Sequence, residues 1–456
     1  MILLPKIRRA EPVEAPSFLV RLLKGSKTAL RQAQGGGMVV AALFATPALA
    51  QTLAITGAKL VIGDGSAPIE NGTVLITQGR VTAAGKGIAI PAGTETIDAK
   101  GKWVTPGIVA GFTRLGLAGV DAVDSSNDTA AGGGAFQIAI DISPAINPDH
   151  AAIAISRAAG VTRAIVSPDA AGGAIFGGQG VVIDTGSDAD PVTKPRAFMF
   201  VEYGEAGARR AGGSRPAWFA GFRAAAAEAR GLGGDNPLLR KQDAQALLPV
   251  INGQMKLFIH AESANDMRGV LALKREFPLL DPVIVGAAEG WRVADALAAA
   301  KVPVLASALT DLPNSFEQLG STQSNIGRMT AAGVTVGIGM IDDEDTRQAQ
   351  YSAQYAGNLV ALTRVPGATG LDWNAAFAAI TSKPAEIVGL GGEIGSLRPG
   401  RRADVVMWDG DPLELSSAAQ AVWIDGVKQS LSTRQTRLRD RYLDPAAGAL
   451  PKAYVR

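Results

Sequence analysis

The 456-residue chain contains no cysteine and only two histidines, His150 and His260. The first absence excludes disulfides and thiolate metal ligands, and it is compatible with an exported location. The second limits any imidazole-based metal site to two such ligands. Phe, Trp and Tyr make up 5% of the chain, too few for a surface built on ring stacking against sugars. Long apolar runs are missing too. The segment from Met38 to Phe44 is too short and too interrupted to span a bilayer.

What is present begins with a leader. Lys24, Lys27 and Arg31 precede the apolar segment, and Ala48-Leu49-Ala50 follows it as a small-residue cleavage signature. Residues 1–50 therefore read as a signal peptide with an N-terminal extension, and a periplasmic or otherwise exported protein is expected. Those fifty residues carry seven Lys/Arg and two Asp/Glu, which leaves 37 positive against 40 negative, a net charge of −3. A near-neutral surface gives no electrostatic case for nucleic-acid binding. A hydrophobic content of 47% with 19% charged residues fits a soluble globular protein, without a membrane span once the signal is removed.

The remaining chain divides by periodicity. Residues 51–106 and 393–456 alternate apolar and polar positions between Gly-rich turns, as in Thr52 to Ile62 and Ala421 to Gly426. Two β-rich ends are expected to pair as one small β-sandwich. Residues 107–392 alternate short apolar runs with amphipathic helices. Strands are expected at 104–112, 161–167, 197–203, 256–262, 281–286, 303–307 and 334–340. Helices are expected at Trp218 to Arg230, Asp243 to Asn252, Ala264 to Phe277 and Glu289 to Ala300. The expected fold class is α/β, a (β/α)8 TIM-like barrel inserted in the β-sandwich.

Several segments carry a family resemblance. They include Lys102 to Leu115, Asn147-Pro148-Asp149 through Gly160-Val161-Thr162, and the Gly177-Gly178-Gln179-Gly180 segment, read as a loop. Others are His260-Ala261-Glu262, Glu289 to Ala294, Ala332-Gly333-Val334, Thr381 to Leu390, and Gly395 to Gly400 followed by Ala403-Asp404-Val405-Val406. In this order they resemble the amidohydrolase superfamily, in particular its exported, imidazolonepropionase-like branch. The resemblance implies a barrel that holds one or two divalent metals, zinc among them, at the strand C-termini. It also implies hydrolysis of non-peptide or dipeptide C–N bonds by metal-activated water.

Carried over residue by residue, the ligand set is mostly lost. The first-strand His-x-His positions are Phe112 and Arg114. The fifth-strand histidine is His260. The sixth-strand histidine falls at or beside Gly286, and the last-strand aspartate falls on Ile341. Glu202 stands near the fourth-strand bridging position. Phe112 is expected to fill volume that ligands would occupy. Arg114, a permanent cation, either anchors an anionic ligand group or pairs with a barrel carboxylate such as Glu202. Asp342 follows Ile341, where a one-residue shift turns a side chain to the opposite face unless a bulge re-aims it.

The candidate substrate-binding set is therefore Arg114, Glu202, His260, Glu262 and Asp342, with no catalytic residue, metal ligand or cofactor assigned. His150, after Asn147-Pro148, reads as a surface residue in a first helical turn. The run Asp342 to Asp345 reads as a helix cap, and Arg209-Arg210 as a solvated pair. The expected function is a catalytically impaired amidohydrolase-family protein that binds a small amide or peptide-like ligand. Its expected partners are a second copy or an active amidohydrolase. The alternative is an active C–N hydrolase using a single-metal or metal-free site around His260.

Overall fold

The computed structural model of the chain describes residues 52–120, 123–235, 237–308, 310–341 and 348–443. The signal read at 1–50, Asp342 with the acidic run to Asp345, and the chain beyond 443 lie outside the described residues.

Alternating, β-rich sequence at the start of the described chain forms β1 (Thr52–Leu60), β2 (Ile69–Thr77) and β3 (Arg80–Lys86), an antiparallel meander. Gln78 and Gly79 join β2 to β3, both at positive φ, as a tight hairpin turn requires. β4 (Glu95–Asp98) and β5 (Trp103–Pro106) lie parallel along the other edge of β1.

The chain then leaves this sheet. The run expected as one strand at 104–112 is two, because β5 ends at Pro106 and β6 (Ile108–Thr113) starts a different sheet. After β6 come β7 (Val161–Val166), β8 (Phe176–Asp184), β9 (Val192–Glu202) and β10 (Lys256–Ala261). β11 (Pro282–Gly286), β12 (Val304–Ala306) and β13 (Val336–Ile338) complete the set. These eight strands are neighbours in chain order. The Met340 N–H donates to the Phe112 carbonyl at 2.9 Å, which brings the exit of β13 back against β6 and nearly closes the barrel.

The α/β barrel expected from strand–helix alternation is thus the observed architecture, with one departure. β8 runs antiparallel to both β7 and β9. It contains Gly177-Gly178-Gln179-Gly180, so the segment expected as a loop is a fully buried strand. Its glycines accommodate close packing: a Cβ at Gly180 would lie 2.1 Å from Cζ of Phe198. Helices cover the outer face, among them Arg215–Ala229, Lys241–Ile251 and Ala264–Glu276, each near its expected position. Ser214 and Ser263 cap the first and third of these through their hydroxyls.

The barrel interior is packed with side chains. Phe112, Ile165, Phe198, Phe200, Phe258, Val285 and Leu305 share one buried cluster, and the Phe198 and Phe258 rings stack with centroids 4.0 Å apart. Full burial of each such side chain is worth about 1.5–3 kcal/mol. After the barrel, β14 (Val405–Trp408), β15 (Ala419–Ile424) and β16 (Val427–Lys428) rejoin the first sheet, with β14 antiparallel to β5. Backbone bonds from Val81 and Gly79 to residues 400–403 curl this sheet around its own core of Leu60, Val74, Val104 and Trp423. Among the described residues no helix is long and apolar enough to cross a membrane.

Candidate functional site

β9 and β10 end side by side, with Glu202 opposite His260 in the register. Glu262 follows His260 by two residues, the spacing that returns a side chain to the same face of extended chain. Oε1 of Glu202 lies 2.7 Å from Nδ1 of His260, and Oε1 of Glu262 lies 3.0 Å from Nε2. Both carboxylates are buried, whereas the imidazole keeps 25% of its surface exposed to a cleft. Burial alone would push the imidazole pKa down. The Glu202 carboxylate and then Glu262 outweigh it and hold the pKa well above 6.5. This environment favours the imidazolium, in which each ring N–H can donate to a carboxylate.

The next strand makes room for this arrangement. Oε2 of Glu262 accepts the Ala288 N–H at 2.8 Å. Gly286, at the end of β11, has φ +99°, and a Cβ there would fall 2.5 Å from Oε1 of Glu262. The position matched to the sixth-strand histidine therefore has no side chain, and a carboxylate from the neighbouring strand fills its place. A left-handed backbone and the lack of a Cβ are both needed.

Arg114 follows β6, and its Nη2 lies 3.2 Å from Oδ2 of Asp169, on the loop after β7. The pairing with Glu202 that the sequence suggests is not formed, because Glu202 is committed to His260. Asp169 was not singled out from the sequence; its place just past a barrel strand is the one signal that marks it. Phe112 is buried, its ring centroid 5.9 Å from that of Phe200, and with Val285 and Ile341 it forms an apolar floor. The cleft above has a volume of about 350 Å³.

The far wall of the cleft comes from the segment after β12, through Asn314, Ser315, Glu317 and Gln318. None of these carried a recognisable motif. Burial raises the Glu317 pKa, partly offset by the Glu205 N–H that Oε2 accepts at 2.7 Å. Arg215 ties the same region to the barrel by pairing with buried Asp266 while Nη2 lies 3.8 Å from Glu317. The structure thus brings Arg114, Glu202, His260 and Glu262 to one cleft; Asp342 lies outside the described residues. His150 is set apart: its Nδ1 accepts the Ala152 N–H at 3.2 Å and caps the helix Ala151–Ala158.

The donors present do not fit the divalent ion that the resemblance implies. A metal ligand needs a lone pair. Both nitrogens of His260 are engaged by carboxylates, Phe112 and Ile341 offer only hydrocarbon, Gly286 offers no side chain, and Arg114 repels a cation. Among the described residues no three His, Asp or Glu side chains are arranged to hold a metal ion.

A model of the "Amidohydrolase family" matches residues 314–428. The amidohydrolase tasK of Hapsidospora irregularis is 26% identical over 410 residues, covering 78% of this chain; the chain spans only 40% of that relative's length. An amidohydrolase from Thermotoga maritima MSB8 superposes with a TM-score of 0.72 at 24% identity, covering 82% of this chain and 99% of its own. A prolidase solved with N-methylphosphonate-L-proline gives 0.51 at 16% identity, covering 83% of this chain and 99% of its own. The structural likenesses show a shared fold. The family-model match over residues 314–428 and the sequence relative support the amidohydrolase superfamily.

Proposed function

We propose that the chain is an amidohydrolase-fold protein that binds a small amide or peptide-like ligand without the metal-activated water of its superfamily. One observation carries the reading: the imidazole at the fifth-strand ligand position is closed on both nitrogens by Glu202 and Glu262. The cleft still offers an amide complementary groups, with Arg114 and the imidazolium as cations, Glu317 and Gln318 as acceptors, and Phe112 and Val285 as apolar floor. Pairing with a second copy or an active relative belongs to the same reading.

Metal analysis tests it. After purification and dialysis with excess zinc, the chain is expected to retain far less than one zinc per chain and to leave a dipeptide and cyclic-amide panel intact. Near-stoichiometric zinc that disappears in His260→Ala, together with turnover that disappears in the same variant, would overturn the proposal. That outcome would favour a single-metal hydrolase, for which the partial exposure of His260 leaves a route.

A further inference from the structure

A second cavity lies beside the cleft, outside the barrel, with a volume of about 720 Å³. That is within the range of about 300–1,000 Å³ typical of small-molecule sites. Ile138, Ile175, Phe176 and Leu239 form apolar walls, and the helix Arg215–Ala229 presents Ala217, Gly221 and Ala225 to it at four-residue spacing. The space is open: a Cβ at Gly221 would meet nothing within 4 Å. The wall is also fixed. Glu228 accepts the N–H groups of Leu238 and Leu239 at 2.6 and 2.7 Å, and Asp243 accepts those of Gln137 and Ala139 at 3.2 and 2.8 Å.

Arg210 lines both this cavity and the cleft, so it is not the solvated residue that the sequence suggests. Its Nη1 donates to the Gly172 carbonyl at 3.1 Å. Its Nε is shielded from solvent and has no hydrogen-bond partner among the described residues, and no carboxylate there pairs with it. The guanidinium keeps a permanent positive charge that no carboxylate among the described residues offsets, and a ligand carboxylate would pair with that charge. Arg240 adds a second cation at the rim, while the charge of Asp243 is spent on the two backbone N–H groups.

We propose that this cavity binds a linear apolar carboxylate, with its chain along the Ala217–Gly221–Ala225 face and its carboxylate on Arg210. The site needs neither His260 nor a metal, so it stands or falls separately from the reading of the cleft. Isothermal titration of the full chain with decanoate, below its micelle threshold, is the test, with neutral decanol as the second probe. Saturable one-to-one binding of decanoate is expected. Gly221→Leu, which fills the cavity and improves helix propensity, should weaken both probes by about tenfold or more, a loss of about 1.4 kcal/mol. Arg210→Gln should weaken decanoate by a similar factor and leave decanol unchanged. No saturable decanoate binding, wild-type affinity in folded Gly221→Leu, or equal loss of both probes in Arg210→Gln would each overturn the proposal.

Discussion

Two ends of the same barrel each bury a cation among carboxylates, and they do so for different ends. At the N-terminal side, Arg163 of β7 is fully buried. It forks Asp404 at 2.7 and 2.8 Å, reaches Asp425 at 2.9 Å, and lies 3.5 Å from Asp184. Arg402 pairs with Asp425 from the other side. Asp404, Asp425 and Arg402 come from the C-terminal β-rich region and Asp184 from β8, so the cluster ties barrel to sheet. At the C-terminal side, His260 sits between Glu202 and Glu262 but keeps a quarter of its surface open to the cleft. Charge burial is therefore no mark of function by itself. What separates the two is access, and a cation that can lose its charge.

That contrast can be broken experimentally. The largest effect is expected at the closed end. Arg163→Met strands the buried carboxylates of Asp404 and Asp184, and losing one partner of a buried ion cluster costs about 3–5 kcal/mol. The urea unfolding midpoint should fall accordingly; a change within experimental error would show that the cluster is not what joins the two sheets.

At the open end, Gly286→Ala is expected to come next. The new Cβ would displace the Glu262 carboxylate and force a left-handed alanine, at about 1–3 kcal/mol. Its structure should show Glu262 withdrawn from His260. Retention of the 3.0 Å contact would mean that Gly286 does not hold the triad open.

The third effect is smaller and depends on pH. His260→Gln removes two charge-assisted hydrogen bonds, worth about 1.5–3 kcal/mol each in a buried setting and less at this partly exposed ring. The folded-state pKa of His260 is raised, so its contribution is full below 6.5 and is lost as pH rises through the raised value. The melting-temperature gap between wild type and variant should be widest near about pH 6 and narrow in alkali. The closed end titrates elsewhere: burial raises Asp184 to about 6 despite the opposing pull of Arg163, so its protonated-state contribution is lost between 3.8 and about 6. A gap that widens with alkali would reject the imidazolium.

Much of this was legible in the sequence. The strand–helix alternation placed every barrel strand except β8, because apolar runs bounded by turns survive as a pattern whatever packs against them. His260 and Glu262 are two residues apart at the end of β10, so their shared face follows from the pleat of extended chain. β8 was illegible because glycine density ordinarily signals loop, while here Gly180 yields space to the Phe198 ring. The break between β5 and β6 falls on Pro106-Gly107, a turn-type dipeptide at the boundary read between 51–106 and 107–392, although the strand expected at 104–112 runs across it. Pairing of Arg114 with a carboxylate was one of two readings, but Asp169 as that carboxylate was not legible: it sits on an irregular loop, where no periodicity says which way a carboxylate points.

The pairing of β5 with β14 has a consequence for synthesis. The Trp408 indole N–H donates to the Thr105 hydroxyl at 3.0 Å, across 303 residues of chain. A ribosome delivers β1 to β5 first, and the strand that covers the free edge of β5 arrives only after the entire barrel has been translated. Until then, that edge presents unpaired amides and carbonyls to any other nascent copy. Premature termination anywhere before residue 405 would thus leave a polypeptide with a sticky flank, which chaperones must shield or proteases remove.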